Sequence, residues 1–357
     1  MLSNTNSVLL VDNFLSACGG NMSVSEELAL RLRGAGWTVL TTSSIPNGLC
    51  KAIDMTGTAW VKRRVYSAAS VSVYSGRAFR WAEAVCWMLR RAGRPYLLTL
   101  HGGGLPGFAD RNPARVRRLL ESGKVVIAPS EYLRRRMRSY CSEIELLPNA
   151  IDLSAYRFVL RAAPRPRLVW LRSFHSLYNP ALAVETLAAL VNDFPLASLE
   201  MTGNDKRDGS LGAARRLANE LRVAERVEFA GSCLKTEVPA RLNRGDVFLN
   251  TPDIDNTPVS VIEAMACGLC VVSTNVGGLP YILEDGKDAL LVETGDYVGM
   301  ARAVRRIITE PGLAASLSSN ARRKAERFDW GAVLPQWERL FGSTIANFEP
   351  KKAFEFA

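Results

Sequence analysis

Short apolar runs alternate with stretches of helical period along this chain, and they do so in two successive sets. In the first set the runs at residues 8–11, 37–42, 71–74, 96–100 and 125–128 are too short for buried helices. Helix-period stretches such as 79–91 separate them, and Ser23 with Glu26 three residues on forms a capping box that starts a helix reaching about Arg33. Strands separated by helices pair in parallel, so the pattern predicts a doubly wound α/β sheet. Residues 162–167, AAPRPR, then interrupt it: two prolines among arginines continue neither a helix nor a central strand. The alternation restarts at once, with strands expected at 168–171, 198–202, 227–230, 247–250, 271–274 and 289–292. Asn179-Pro180 caps a helix to about Val191, another spans 210–221, and 297–341 reads as helical in about three pieces. The expected organisation is two Rossmann-like domains, 1–161 and 162–329. Ligands of such sheets bind beyond the carboxyl ends of the strands, so the loops that follow strands carry the chemistry.

Length supports two domains, since 357 residues is about twice an ordinary core. No apolar stretch reaches the roughly 18 to 20 residues that span a bilayer. The N-terminal residues lack a basic n-region, which reads against a signal peptide. Seven cysteines, with no His neighbours at ligand spacing, favour reduced thiols in a cytoplasmic setting. Charge is divided unevenly. Residues 1–150 hold 20 Lys and Arg against 10 Asp and Glu, whereas the remainder holds 25 against 25. One domain therefore faces something anionic, which leaves nucleic acid, an acidic membrane surface or an anionic substrate. Arg111, Arg115, Arg117 and Arg118, then Arg134, Arg135, Arg136 and Arg138, form two basic stretches near Tyr132 and Tyr140. They suit an anionic membrane surface, with Phe79, Trp81 and Trp87 as further contacts or, at their helical spacing, as core.

The most informative loop lies in NTPDIDNTPVSVIEAMACGLCVVST, residues 250–274. Thr257 is a good N-cap and Pro258 a good first-turn residue, so a helix is expected from there. Its free amides and positive dipole end suit a phosphate. Glu263 falls in the second turn and Asp255 eight residues earlier. A carboxylate accepts two hydrogen bonds from a vicinal diol, so an acid beside a phosphate-binding helix start points to a nucleotide. The alternative is an ordinary capped helix with exposed acids. Asp253-Ile-Asp255 also spells D-x-D, a pattern that can hold a divalent ion but is common by chance.

These residues resemble the signature of glycosyltransferase family 4, retaining enzymes of GT-B fold: an acid, seven residues, a Glu, then AMACG and VVSTNVGGLPYIL. Here Glu263 is similar to the family's second acid, and Asp255 stands where the first is usually Glu. The resemblance implies that Glu263 binds ribose hydroxyls, that Asp255 contacts the donor sugar, and that Thr257, Pro258, Val259 and Ser260 present backbone to sugar and diphosphate. Gly19-Gly20, before the capped helix, is similar to the family's glycine loop beneath the diphosphate. LTLHGGG, residues 98–104, resembles the strand that ends in a histidine near the reacting sugar, which assigns that place to His101. Residues 148–152 are similar to the family's entry to the linker. In LVWLRSFHSLYN, residues 168–179, Arg172 matches the family's Arg, but Tyr178-Asn179 stand where its Lys belongs. A developing diphosphate needs positive charge, so Lys206, with Arg207 second, is the expected substitute, and His175 reads as surface or packing.

The family implies further expectations. A sugar passes with retention from a nucleoside-diphosphate sugar to an acceptor hydroxyl, for which a lipid-linked or cell-surface glycan precursor is a candidate. No enzymic nucleophile, cofactor or metal is expected, which agrees with the lack of a Ser–His–Asp or Cys–His set. The two domains close on the donor through the hinge at 162–167, across an interdomain cleft. A C-terminal helix at about 330–345 packs back on the first domain. Location is cytoplasmic, with the basic half suited to the inner face of a membrane. A sugar-nucleotide epimerase or phosphorylase on a similar scaffold is the alternative. Nucleic-acid binding lacks a recognisable module, and an oxidoreductase lacks G-x-G-x-x-G after the first strand.

Overall fold

The structure, a computed structural model, describes residues 6–14, 23–45 and 47–348. The chain folds into two compact units. The first comprises residues 1–149 and 330–357, and the second runs from Ala150 to Asp329.

The first unit is built on a six-stranded sheet of β1 (Ser7–Val11), β2 (Thr38–Thr42), β3 (Ala68–Val73), β4 (Tyr96–Leu100), β5 (Val125–Ala128) and β6 (Glu145–Leu146). Every pairing is parallel, in the order β2-β1-β3-β4-β5-β6. The central strands read as unbroken apolar runs because helices cover both faces. β3 starts three residues before the expected 71, since small buried Ala68 and Ala69 extend it. β6 lies at the edge with both residues exposed, so no apolar run announces it. The capping box on Ser23 is present: its side chain accepts from Glu26 N, and Glu26 accepts from Ser23 N at 2.6 Å. Phe79, Val85, Cys86 and Leu89 line the inner face of the helix Arg77–Arg91 and pack on Leu98 and Val71. Phe79 is thus core, not an interface residue. The helix Trp330–Ala346 belongs to this unit, where Trp330 Nε1 donates to Glu27 Oε1 at 2.7 Å and Trp37 Nε1 to Glu338 Oε1 at 2.9 Å.

The second unit carries β7 (Arg167–Leu171), β8 (Ser198–Thr202), β9 (Val227–Gly231), β10 (Val247–Asn250), β11 (Cys270–Thr274) and β12 (Ala289–Val292). The order β12-β11-β10-β7-β8-β9 is again all parallel. The unit begins twelve residues before the expected 162, and one buried cation explains why. Arg161 sits in the interior and needs partners, and all come from this unit: an ion pair with Asp246 at 3.3 Å, and hydrogen bonds to Gly245 O at 3.0 Å and Cys267 O at 3.1 Å. Ile151 N donates to Phe328 O at 2.9 Å and Tyr156 reaches Glu263, so residues 151–161 are sewn in along their length.

Candidate active site

In the second sheet the strand order reverses between β7 and β10, which makes that gap the topological switch point where ligands of such sheets bind. Arg172 follows β7 directly and Asp255 lies in the loop after β10. Arg172 Nη2 donates to Asp255 Oδ2 in a mostly buried ion pair. The guanidinium also lies over the Tyr178 ring, 4.3 Å from its centre. Tyr178, at the position where the family pattern has a lysine, therefore orients Arg172 by its face. Asn179 is occupied as well. It caps the helix Pro180–Ala188 through Leu182 N at 3.3 Å, and its amide donates to Asp253 Oδ1 at 3.3 Å. Burial pushes the Asp255 carboxyl up from its ordinary range, against the pull of Arg172 and the Asn256 amide. Gly277 and Gly278, from the loop after β11, press on this carboxylate's backbone. A Cβ on either would overlap the carbonyl oxygen of Asp255 or Asn256, and Gly278 N donates to Asp255 O at 2.9 Å. Asp253 and Asp255 are thereby held by different partners, so D-x-D does not present two free carboxylates to one ion.

The helix after β10 spans Val259–Cys267, with Pro258 as its N-cap in extended conformation, φ −69° and ψ 116°. This moves the expected cap from Thr257 by one residue. Pro258 has no N–H to satisfy, so the boundary costs it nothing. Thr257, Pro258 and Ser260 are buried and Val259 half-buried. Glu263, in the second turn, is only 4% exposed. Its Oε1 accepts from Tyr156 OH at 2.6 Å and from Lys235 Nζ, in an ion pair. Lys235 comes from the loop after β9, and nothing in its sequence context singles it out. Lys206, the expected substitute cation, is exposed in the loop after β8, where its backbone N–H donates to Phe174 O. His175 is half-exposed and its Nδ1 accepts from Leu177 N, a local turn contact. Gly19 and Gly20 lie outside the described residues.

Two polar atoms in these loops are sealed from water with no protein partner among the described residues: Arg172 Nε and Ser260 Oγ. Leaving a buried donor unpaired costs about 1–3 kcal/mol, so such atoms are rare without a reason. They belong to the loop after β7 and to the first turn of the helix after β10, the two sides of the switch point.

The first unit has its own switch point, between β1 and β3. Asp12, absent from the sequence expectations, directly follows β1 there and is buried. Its Oδ1 accepts from Tyr74 OH at 3.1 Å and Asn13 N at 2.7 Å; its Oδ2 accepts from Ser72 Oγ at 2.8 Å and from Ser25 Oγ. His101, after β4, stacks on Tyr74 with ring centres 4.8 Å apart, and its Nε2 lies 3.2 Å from Ser72 Oγ. A serine has one hydrogen, and Ser72 gives it to Asp12, so His101 Nε2 is the donor and Nδ1 keeps its lone pair. Asp12 thus fixes the histidine's tautomer through Ser72. Burial lowers the His101 pKa from 6.5, and the Asp12 charge opposes this without cancelling it. A histidine held neutral in the fold but free to protonate when unfolded costs stability as pH falls below the unfolded value. We expect wild type to lose stability from about pH 6.5 downward, and His101→Gln to lose less over that range, as read by urea unfolding at pH 5 and 7. Equal slopes for the two proteins would show that His101 is not held neutral.

Comparison with known proteins gives this geometry a context. A family model described as "Glycosyltransferase Family 4" matches residues 70–155, and one described as "Glycosyl transferases group 1" matches residues 165–310. Together they take in more than half of the chain. The chain belongs to glycosyltransferase family 4. Among relatives within the family, a D-inositol 3-phosphate glycosyltransferase of Rhodococcus jostii is 30% identical over 254 residues, 65% of this chain and 55% of that protein. The chain spans a similar share, 56%, of its Rhodococcus opacus counterpart, about half the length of either. A GDP-mannose-dependent alpha-(1-6)-phosphatidylinositol monomannoside mannosyltransferase of Mycolicibacterium smegmatis is 27% identical, over 73% of this chain and 71% of that one.

Solved structures agree on the fold. Sucrose-phosphate synthase from Thermosynechococcus elongatus superposes with a TM-score of 0.80 at 20% identity, covering 96% of this chain and 99% of that one. HepE from Anabaena, in complex with UDP and glucose, gives 0.75 at 17% identity over 94% and 99%. The architecture is GT-B: two Rossmann-like domains, each on a six-stranded parallel sheet. This family member departs from the family's motif in two places, Asp255 for Glu and Tyr178-Asn179 for Lys. Both fall beside Arg172, which the shorter acid and the aromatic ring hold from two sides.

Proposed function

We propose that the protein is a retaining glycosyltransferase that takes a sugar from a nucleoside-diphosphate sugar and passes it to an acceptor hydroxyl. The observation that carries this reading is the pair of buried, unpartnered polar atoms, Arg172 Nε and Ser260 Oγ, on the two sides of the second sheet's switch point. A guanidinium N–H and a hydroxyl beside free helix amides fit the oxygens of a diphosphate. Glu263 is the ribose acceptor in this reading, with Oε1 pinned by Tyr156 and Lys235 so that the carboxylate is oriented before the donor arrives. Thr257, Pro258 and Val259 supply backbone to the sugar and diphosphate. The nucleotide-bound HepE and the GDP-mannose-dependent relative support a nucleoside-diphosphate donor.

The second unit binds the donor and the first binds the acceptor. As the anomeric carbon–phosphate oxygen bond breaks, negative charge gathers on the diphosphate, and Arg172 with the helix N-terminus stabilises it. The acceptor oxygen bonds to the anomeric carbon on the same face, and its proton goes to the departing phosphate oxygen. No enzymic nucleophile takes part. The positive groups are the protein's own, so the reading requires no protein-held metal. Neutral His101, its tautomer set by Ser72 and Asp12, offers Nδ1 as an acceptor to a sugar hydroxyl.

A thermal-shift screen against uridine- and guanosine-diphosphate sugars tests the donor. One of them at about a hundredfold excess over Kd should stabilise the protein by about 2.7 kcal/mol, equally with and without EDTA. Ser260→Ala should reduce that shift. An NMR assignment of the product's anomeric configuration tests retention, and a changed sugar nucleotide formed without acceptor would favour an epimerase. Absence of any shift with every donor would overturn the proposal.

A further inference from the structure

The helix Gly48–Val61 of the first unit buries Lys51, Met55 and Ala59 and turns its larger apolar residues outward. Leu49 is 80% exposed, Ile53 71%, Trp60 41% and Val61 69%. Their spacing places them on one side of the helix with exposed Cys50 and with Gly57, an arc that carries no charge. The helix's one carboxylate, Asp54, is half-buried and accepts from Thr42 Oγ1 at 2.8 Å. This inverts the usual arrangement of a surface helix, and a contiguous apolar face of this kind marks an interaction surface.

The neighbouring helix Arg77–Arg91 packs on it, with the Trp81 ring against Gly48. Its outward row is Arg77, Arg80, Ala84, Trp87 and Arg91, spaced three, four, three and four. Lys62, Arg63 and Arg64 follow the first helix. Arg63 lies over the Trp60 ring at 4.3 Å and Arg91 over Trp87 at 5.0 Å, and none of these cations has a carboxylate partner among the described residues. Of the eight arginines in the basic stretches prominent in the sequence, four are engaged in ion pairs instead. Arg115 pairs with Glu83, Arg134 and Arg135 with Glu131, and Arg136 with Asp110.

We propose that the face formed by these two helices docks the protein on an anionic lipid surface. Leu49, Ile53 and Val61 enter the boundary between headgroups and acyl chains. Trp60 and Trp87 sit at headgroup level, and the surrounding cations meet lipid phosphates. Nucleic acid has no use for the uncharged arc, and a second copy of the chain would set one arginine row against another. The inference goes beyond the transfer reaction and does not depend on it, because docking is read without any sugar.

The test is sedimentation of the full chain with vesicles of phosphatidylcholine alone or mixed with phosphatidylglycerol. Wild type is expected to bind the mixed vesicles and to be released by salt. Ile53→Ser with Trp60→Ser, and separately Arg77→Glu with Arg80→Glu, should each lower the partition coefficient at least about tenfold. All four side chains are exposed, so circular dichroism and the thermal midpoint should match wild type and exclude misfolding as the cause. Wild type that ignores phosphatidylglycerol, or variants that bind as wild type does, would overturn the proposal. So would a concentration-dependent dimer, seen by light scattering, that the Ile53/Trp60 pair of changes dissolves while vesicles bind nothing.

Discussion

Replacing Arg172 by Ala is expected to cut turnover by about 10²–10³-fold, the usual cost of removing one donor aimed at developing transition-state charge. The same change strands Asp255, whose partner is gone while its carboxylate stays buried, and should destabilise the protein by about 3 kcal/mol. The two losses have different remedies. Arg172→Ala with Asp255→Asn removes the stranded charge and should recover most of the stability but none of the turnover. The stability loss should also depend on pH. A buried carboxyl whose folded pKa lies above its unfolded value, about 3.9, contributes most below that value, and the contribution is lost as pH rises through the folded pKa. Without Arg172 the folded pKa climbs further, so the deficit measured by urea unfolding should be smaller at pH 5 than at pH 8. If Arg172→Ala unfolds more easily yet turns over normally, the ion pair is structural and the diphosphate is held elsewhere.

Glu263→Gln is expected to weaken donor binding about 10–100-fold, because hydrogen bonds to a charged group contribute roughly 1.5–3 kcal/mol. The carboxylate touches the part of the donor that does not react, so KM for the donor should rise while kcat changes less. Glutamine keeps the shape and still accepts from Tyr156, but it leaves Lys235 without its counter-charge. Lys235 is partly exposed and can rehydrate, so the fold should lose no more than about 1–2 kcal/mol. Lys235→Ala should produce a milder version of the same KM effect if the lysine positions Glu263. Calorimetric titration of nucleoside diphosphate into each variant measures this directly. Unchanged affinity in Glu263→Gln would remove Glu263 from the nucleotide site.

What the sequence determined alone follows from local rules. Strand period, helix caps and breakers act over a few residues, so β1, β4, β5, β7, β8 and β10 to β12 could be read from apolar runs, as could the caps at Ser23 and Asn179. The segment around Asp255 and Glu263 was legible because its acids, helix start and glycine turn lie in one continuous stretch. The two-residue β6 was not, since an exposed edge strand needs no apolar run.

The tertiary structure decided every question of partnership. Lys235 and Glu263 are 28 residues apart in sequence and Tyr156 is 107 from Glu263, so no spacing rule connects them. Asp12 drew no reading from the sequence, because only parallel pairing with β3 brings Ser72 and Tyr74 to its oxygens. The unit boundary at 150 rather than 162 depended on where Arg161 found acceptors. The basic residues tell the same story: their density is visible in the sequence, but which arginines are already paired is not. Local periodicity fixes which way a side chain faces, whereas charge satisfaction is a long-range condition that only the folded chain can meet.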